Sequence, residues 1–334
     1  MRIWTLGLVS AVVACGGSST PGFGSGDGGG SSGGGSSGAS SGGSSSSSSG
    51  SFGGSSGSGS SSGGNNGPPL IYAHTDSELY SMDPTTHQIT DIGPFTDSSG
   101  TTPTITDLAV DGNGSVWVNS ETAVYKATLP SGTGPVNITV QTQLGTSTLF
   151  YALGFTPAGV LESGESLIAG DSKGNLYYID QTGAAPPLNL GGFGVASGGG
   201  TMELSGDVVF YELGGSARGL ATVRACKSSC STTNDSLVEI NIANMQQAFQ
   251  SKSPASTLLK QTLGSGTQFG RLFGVGAWGS SVYAFSRASG SSAQAQLIQI
   301  DSTGAGTSLQ VFPNITAGWS GAGVTTKAQI TVLQ

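Results

Sequence analysis

The sequence predicts an all-β fold, a β-propeller built from four-stranded blades. A recurring phrase, its spacing, and the strand signals that flank each copy carry this prediction. The phrase is clearest at Leu176-Tyr177-Tyr178-Ile179-Asp180-Gln181-Thr182-Gly183, apolar on alternate residues and then broken by Asp and Thr-Gly. Alternation turns one face of a strand inward, and Asp and Gly relieve the backbone of the tight turn that follows. Copies begin at residues 79, 124, 176, 237 and 297, spacings of 45, 52, 61 and 60. Repeats of about this length belong to solenoids and propellers.

Residues 1–14 read as an export signal. Met1-Arg2 is a short positive start, Ile3 to Val13 is apolar, and small residues follow. The apolar stretch is too short to cross a bilayer. Val12-Val13-Ala14-Cys15 resembles the lipobox of bacterial lipoproteins. That resemblance implies cleavage before Cys15, diacylglycerol on its sulfur and acylation of the new amino end. With Gly16 rather than Asp next in line, it points to the outer membrane or cell surface. The alternative is an ordinary secretory signal cut nearby. Residues 15–67 are almost wholly Gly and Ser, with Asp27 the one charge. Nothing there offsets the entropy of ordering, so a disordered tether is expected. Its root-mean-square span would be roughly 40 Å.

The folded domain is expected over 68–334. Leu70 to Thr75 is its first strand, and Gln88 to Ile92 pairs with the first phrase across a Thr85-Thr86 turn. Ile105 to Asp111, a Gly112-Asn113-Gly114 turn, Ser115 to Val118, the second phrase and Asn137 to Val140 make a group of four. Tyr151 to Phe155, Ser166 to Ala169, the third phrase and Pro187 to Leu190 make the next. A fourth group starts with separate strands at Thr201–Leu204 and Val208–Tyr211 and carries an insert over 214–236. One or two helical turns follow at Ile242 to Phe249. The fifth runs from Leu272 to Phe312. Strand, turn, strand, phrase, strand is the order of a propeller blade. The first group lacks an innermost strand, and Trp319 to Thr325 matches the innermost strands of the others. The chain end is therefore expected to close a ring of five blades, which removes two raw sheet edges. Gln329 to Leu333 reads as a further strand without a slot, to be placed beside Leu70 or, as the alternative to five blades, in a sixth, degenerate blade.

The stretch from Thr106-Asp107-Leu108 through Asn113-Gly114-Ser115-Val116-Trp117-Val118 resembles the NHL, strictosidine-synthase and gluconolactonase group of propellers. The likeness covers the blade pattern over roughly 70–330. For a lactonase it implies acids and an Asn converging on a metal in the central channel. Asp107, Glu162 and Glu203 are the candidate ligands near innermost strands.

Other chemistry is sparse. The chain has two histidines, His74 in a strand and His87 in a turn, and neither assembles a Ser-His-Asp set. Asp111-Gly112-Asn113-Gly114-Ser115 spaces oxygen donors as a calcium loop does. It lacks the loop's Gly at position six and its Glu at twelve, so a hairpin turn accounts for it. Asp83, Asp180 and Asp301 end equivalent strands and are expected to cap turns. Cys226 and Cys230 are expected to pair in an exported protein, a metal site needing more ligands than lie near. The aromatics Tyr72, Tyr80, Trp117, Tyr125, Tyr177, Tyr211 and Tyr283 are expected to pack between blades.

Net charge is −8, which disfavours nucleic acid and anionic headgroups as partners. Residues 68–172 are acidic apart from Lys126, and the later part is mildly basic. These readings together predict a lipid-anchored, monomeric, non-enzymatic binding module of the bacterial envelope. Its partner would be an envelope protein or polysaccharide, with no cofactor and no catalytic residue. The alternatives are a metal-dependent hydrolase or lactonase, with calcium or another ion in the channel, and a structural surface protein without a specific ligand.

Overall fold

The computed structural model describes residues 70–101, 103–227, 230, 234–287, 295–301, 305–312, 314–315 and 318–330, with backbone alone over 266–270. The signal, Cys15 and the Gly/Ser segment lie outside the described residues. The chain from Leu70 onward forms five four-stranded antiparallel units around a central channel. The first holds β1 (Ile71–His74), β2 (Glu78–Met82) and β3 (Ile89–Thr96). The second is β4 (Asp107–Val110), β5 (Val116–Asn119), β6 (Ala123–Thr128) and β7 (Val136–Gln143). The third is β8 (Phe150–Thr156), β9 (Ser166–Asp171), β10 (Asn175–Ile179) and β11 (Leu188–Gly192). The fourth is β12 (Thr201–Leu213), β13 (Ser216–Cys226), β14 (Asn234–Ile240) and β15 (Leu259–Gly270), with helix α1 (Ile242–Ser251) between the last two. The fifth is β16 (Leu272–Trp278), β17 (Ser281–Arg287), β18 (Ala295–Ile300) and β19 (Gly306–Phe312). Near the chain end β20 (Gly321–Gly323) adds to β1, pairing Tyr72 with Gly323 and His74 with Gly321. The first blade thus takes its innermost strand from the other end of the chain.

Burial follows this order. The innermost strands β4 and β20 are buried at every residue, whereas the outermost β7 and β19 are largely exposed. A strand covered on both faces reads as a short apolar run rather than an alternation. Close approach selects small residues there: a Cβ at Gly274 would sit 2.5 Å from the Ala322 amide nitrogen. Trp319, fully buried, wedges the closing strand in place. It meets Tyr80 of the first blade at 5.2 Å, and Phe285 and Phe312 of the fifth at 5.5 and 5.9 Å, all edge-on. Tyr80, Trp117, Tyr211 and Tyr283 are buried in these layers between blades. The first two blades also join at their rims, where β3 and β7 run parallel through Phe95–Val136 and Thr96–Asn137.

Two sequence expectations need correction. Thr201–Leu204 and Val208–Tyr211 are not successive strands. They are one 13-residue strand with an irregularity between Leu204 and Val208. The presumed insert over 214–236 is mostly β13, which pairs with β12 from Ser216 to Cys226. Gly214-Gly215, both with positive φ, make the tight turn that allows this. The second correction concerns the tail. Ile330 makes a single parallel bridge to Gly279 of the fifth blade, and residues 331–334 lie outside the described residues. No sixth blade is present among the described residues. α1 is ten residues long, capped by the Asn241 side chain accepting from Asn244 N–H at 3.1 Å.

Candidate functional site

The five innermost strands put equivalent residues around the axis. Aligning them through their cross-blade bonds places Asp107, Ala152, Asp207, Gly274 and Gly321 at one level. Two acids therefore stand among three small residues. Asp107 Oδ2 accepts the Leu153 amide of the third blade at 2.7 Å, and Asp207 Oδ2 accepts the Val275 amide of the fifth at 2.7 Å. Asp207 also takes the Ala322 amide of β20. The Asp235 side chain holds Arg224 with one oxygen at 2.6 Å and the Leu272 amide with the other at 2.7 Å. Burial pushes the Asp235 carboxyl up to about 6, against the pull of Arg224. Three aspartates thus tie the start of one inner strand to the preceding blade.

Asp107, Asp207 and His74 are all fully buried. Burial raises both carboxyls well above the ordinary range, and each carboxyl acts on the other. Each Oδ1 is buried without a hydrogen-bond partner, a costly arrangement for two anions side by side. The His74 ring donates through Nδ1 to the Thr75 carbonyl at 2.6 Å. Its Nε2 has no donor and lies 3.9 Å from Asp107 Oδ1. Burial lowers its pKa to about 4, so the ring is neutral. Gly321 is required beside this group, because a Cβ there would collide with Asp107 Oδ1 and His74 Nε2.

Immediately above, at the end of the channel where the inner strands begin, lies a cavity of about 360 Å³. Every blade contributes to it: Asp76, Glu121, Tyr151, Ser205 and Arg287 represent the five in turn. Arg287 donates to Ser320 Oγ at 2.9 Å, lies 3.5 Å from Asp76, and stacks over Phe273 with its guanidinium carbon 5.1 Å from the ring centre. The Ser320 hydroxyl in turn donates to Asp76. Opposite, Tyr151 OH donates to Glu121 Oε1 at 2.8 Å. Asn119, buried, donates to Thr106 Oγ1 at 2.9 Å and fixes the lip from the second blade. The site combines carboxylates, a guanidinium, hydroxyls and two aromatic rings, the makeup of a small-molecule pocket.

Below the acid pair the channel is lined by residues such as Leu108, Leu153, Val208 and Val324, with free space of about 10 Å³. The chain end seals this side. Thr325 bridges to Val110 and donates to the Asp111 carbonyl at 2.9 Å, and Thr326 donates to Glu165.

The sequence-predicted metal candidates separate. Asp107 is the channel acid just described. Glu162 lies in the β8–β9 connection at the sealed end, and Glu203 lies on β12 opposite Arg224. Their carboxyls do not converge, and Asp107 is occupied by a backbone amide and by Asp207, so this trio does not fit a shared metal. Glu203 Oε2 is 3.1 Å from Cys230 Sγ. Cys226 and Cys230 form a disulfide, whose sulfurs hold no proton and are poor metal ligands. Asp111 Oδ1 accepts the amides of Asn113 and Ser115, both at 2.9 Å, which is a turn. Asp83 and Asp180 cap their turns in the same way, accepting Thr85 and Thr182 amides at 2.7 and 2.9 Å. His87 packs on Tyr283. Much of the fourth blade's basic charge is locally engaged: Arg218 and Lys260 on Glu239, Arg224 on Asp235.

Asp207 escaped the sequence reading, although a signal was there. Gly206-Asp207-Val208-Val209-Phe210 repeats the pattern of Thr106-Asp107-Leu108-Ala109-Val110 a hundred residues on.

No family model matches the chain, and no curated protein matches it. Among solved structures, a protein of unknown function from Bacteroides caccae is similar over 77% of this chain and 98% of its own, at 9% identity and a TM-score of 0.40. The nidogen/laminin complex is similar over 78% and 99%, at 12% and 0.42. The Dos1 propeller is similar over 70% and 54%, at 15% and 0.33. The strand pairing described above, rather than these likenesses, establishes the propeller.

Proposed function

We propose that this propeller is a non-enzymatic binding module, and that a small ligand or the end of a larger one enters the channel mouth. The observation that carries this reading is the cavity of about 360 Å³, walled by all five blades and floored by a packed inner ring. Its polar groups suit recognition by hydrogen bonding. The buried acids beneath it are engaged in holding blades together, which favours binding over chemistry. Cys15 would carry the lipid, residues 16–67 would hold the domain clear of the bilayer, and the module would work on the outer membrane or cell surface of a bacterium.

The test is equilibrium dialysis of the full-length protein against small molecules and released saccharides from its envelope, read by mass spectrometry. A species retained by the wild type and lost in Ser205→Trp, which fills the cavity, is the expected result. Retention of nothing, or equal retention by both proteins, overturns the reading. Labelling with radioactive palmitate, present in the wild type and lost in Cys15→Ser, is expected for the anchor.

A further inference from the structure

We infer that a single proton held between Asp107 and Asp207 is a structural part of the ring, clasping the second blade to the fourth across the axis, and that losing it loosens the innermost strands beneath the cavity. The geometry requires a donor at that point. Each Oδ2 is filled by a neighbouring blade's amide, each Oδ1 is buried without a donor, and the side chains reach one another. A proton on one oxygen satisfies both and removes one of two like charges from a low-dielectric interior. The surrounding elements offer no substitute. β8, β16 and β20 bring Ala152, Gly274 and Gly321 to this level, and none of these carries a titratable group. β1 brings His74, whose Nε2 is itself a bare acceptor. Beyond these stand Asp76 and Arg287 at the cavity wall, paired with each other, and Asp235 on the fourth blade, paired with Arg224 and titrating at about 6, below the range used here.

The clasp also reaches the ligand face. Thr106 and Gly206, each one residue before an acid, line the cavity. Ionising the pair forces apart the strands that set the shape of the cavity floor. This holds whatever occupies the mouth, so it stands or falls separately from the binding reading.

The sign follows from linkage. Both folded carboxyls titrate above their unfolded values, so the folded state holds more protons and stability is lost as pH rises. His74, lowered to about 4, is neutral in both states above about pH 7 and does not contribute there. Urea unfolding of the full chain between about pH 7 and about pH 9 therefore isolates the clasp. The folding constant of the wild type is expected to fall as pH rises, by up to about tenfold per pH unit, ~1.4 kcal/mol, where the folded state holds one extra proton. Asp107→Asn supplies an N–H in place of the proton, and its stability is expected to be level across the same range. A level wild type, or an Asp107→Asn protein with the wild-type slope, overturns the inference. Infrared spectroscopy of the wild type gives a second measure should the variant not fold. A protonated-carboxyl C=O band is expected at neutral pH and lost on alkaline titration; its absence at neutral pH overturns the clasp.

Discussion

The two ends of the channel differ in almost every respect, although the same five strands build both. At the mouth the strands begin, the lining is hydroxyl and charge, and the space amounts to about 360 Å³. At the far end the strands are flanked by Leu, Val and Phe, the chain end lies across the opening, and about 10 Å³ remains. A ring of inner strands is widest where its side chains are small or hydrogen-bonded outward and closes where branched apolar residues interdigitate. One end is thereby left open for contacts, and the other is packed shut.

The sharpest way to break this division is to remove the wedge. Trp319→Ala is expected to cost about 3–5 kcal/mol in denaturant unfolding, because it empties a layer shared by the first and fifth blades. A loss below about 1 kcal/mol would show that closure does not depend on it. The same charge placed at each end should then give opposite outcomes. Val324→Asp, buried at the sealed end, is expected to lose about 3 kcal/mol or more, and Thr104→Asp at the exposed lip about 0.5 kcal/mol or less. Equal losses would mean that the mouth is as tightly packed as the base. Asp207→Ala orphans the Val275 and Ala322 amides and should cost about 1–3 kcal/mol, measured against Asp207→Asn as the milder change.

His74 sets an acid-side limit. Its folded pKa of about 4 lies below the ordinary 6.5, so its contribution is complete above 6.5 and is lost as pH falls towards 4. Melting temperature followed over that window should favour His74→Gln over the wild type by a margin that grows as pH falls, since the raised carboxyls act in the opposite sense and are common to both proteins. The smallest effect belongs away from the channel. Asn241→Ala removes the cap of α1 and is expected to cost about 1 kcal/mol, with cavity binding unchanged.

Much of the ring was legible in the sequence because its signals are local. Alternation and turn residues mark strands within eight residues, and the Asp that ends the phrase, with Thr two residues on, marks the hairpins that Asp83 and Asp180 cap. Trp319 to Thr325 could be matched to the inner strands because burial on both faces demands the same short run of small and apolar residues in every blade. The fourth blade was misread for an equally local reason. Ser205-Gly206-Asp207 looks like a turn between strands, yet it is a bulged stretch that continues one long strand, and only pairing with Ser216–Cys226 shows this. Asp207 was hidden with it.

By itself, then, the chain's order of residues determined the strands, their grouping by fours into five blades and the meeting of the domain's first and last strands, since hydrophobic period and turn chemistry act between near neighbours. The tertiary structure alone decided which acids meet. Asp107 and Asp207 are a hundred positions apart, and Glu203 sits on an inner strand just as they do. Which of them share the axis depends on where each strand begins relative to the ring. That register is set by packing between blades, a sum over contacts that no short stretch contains.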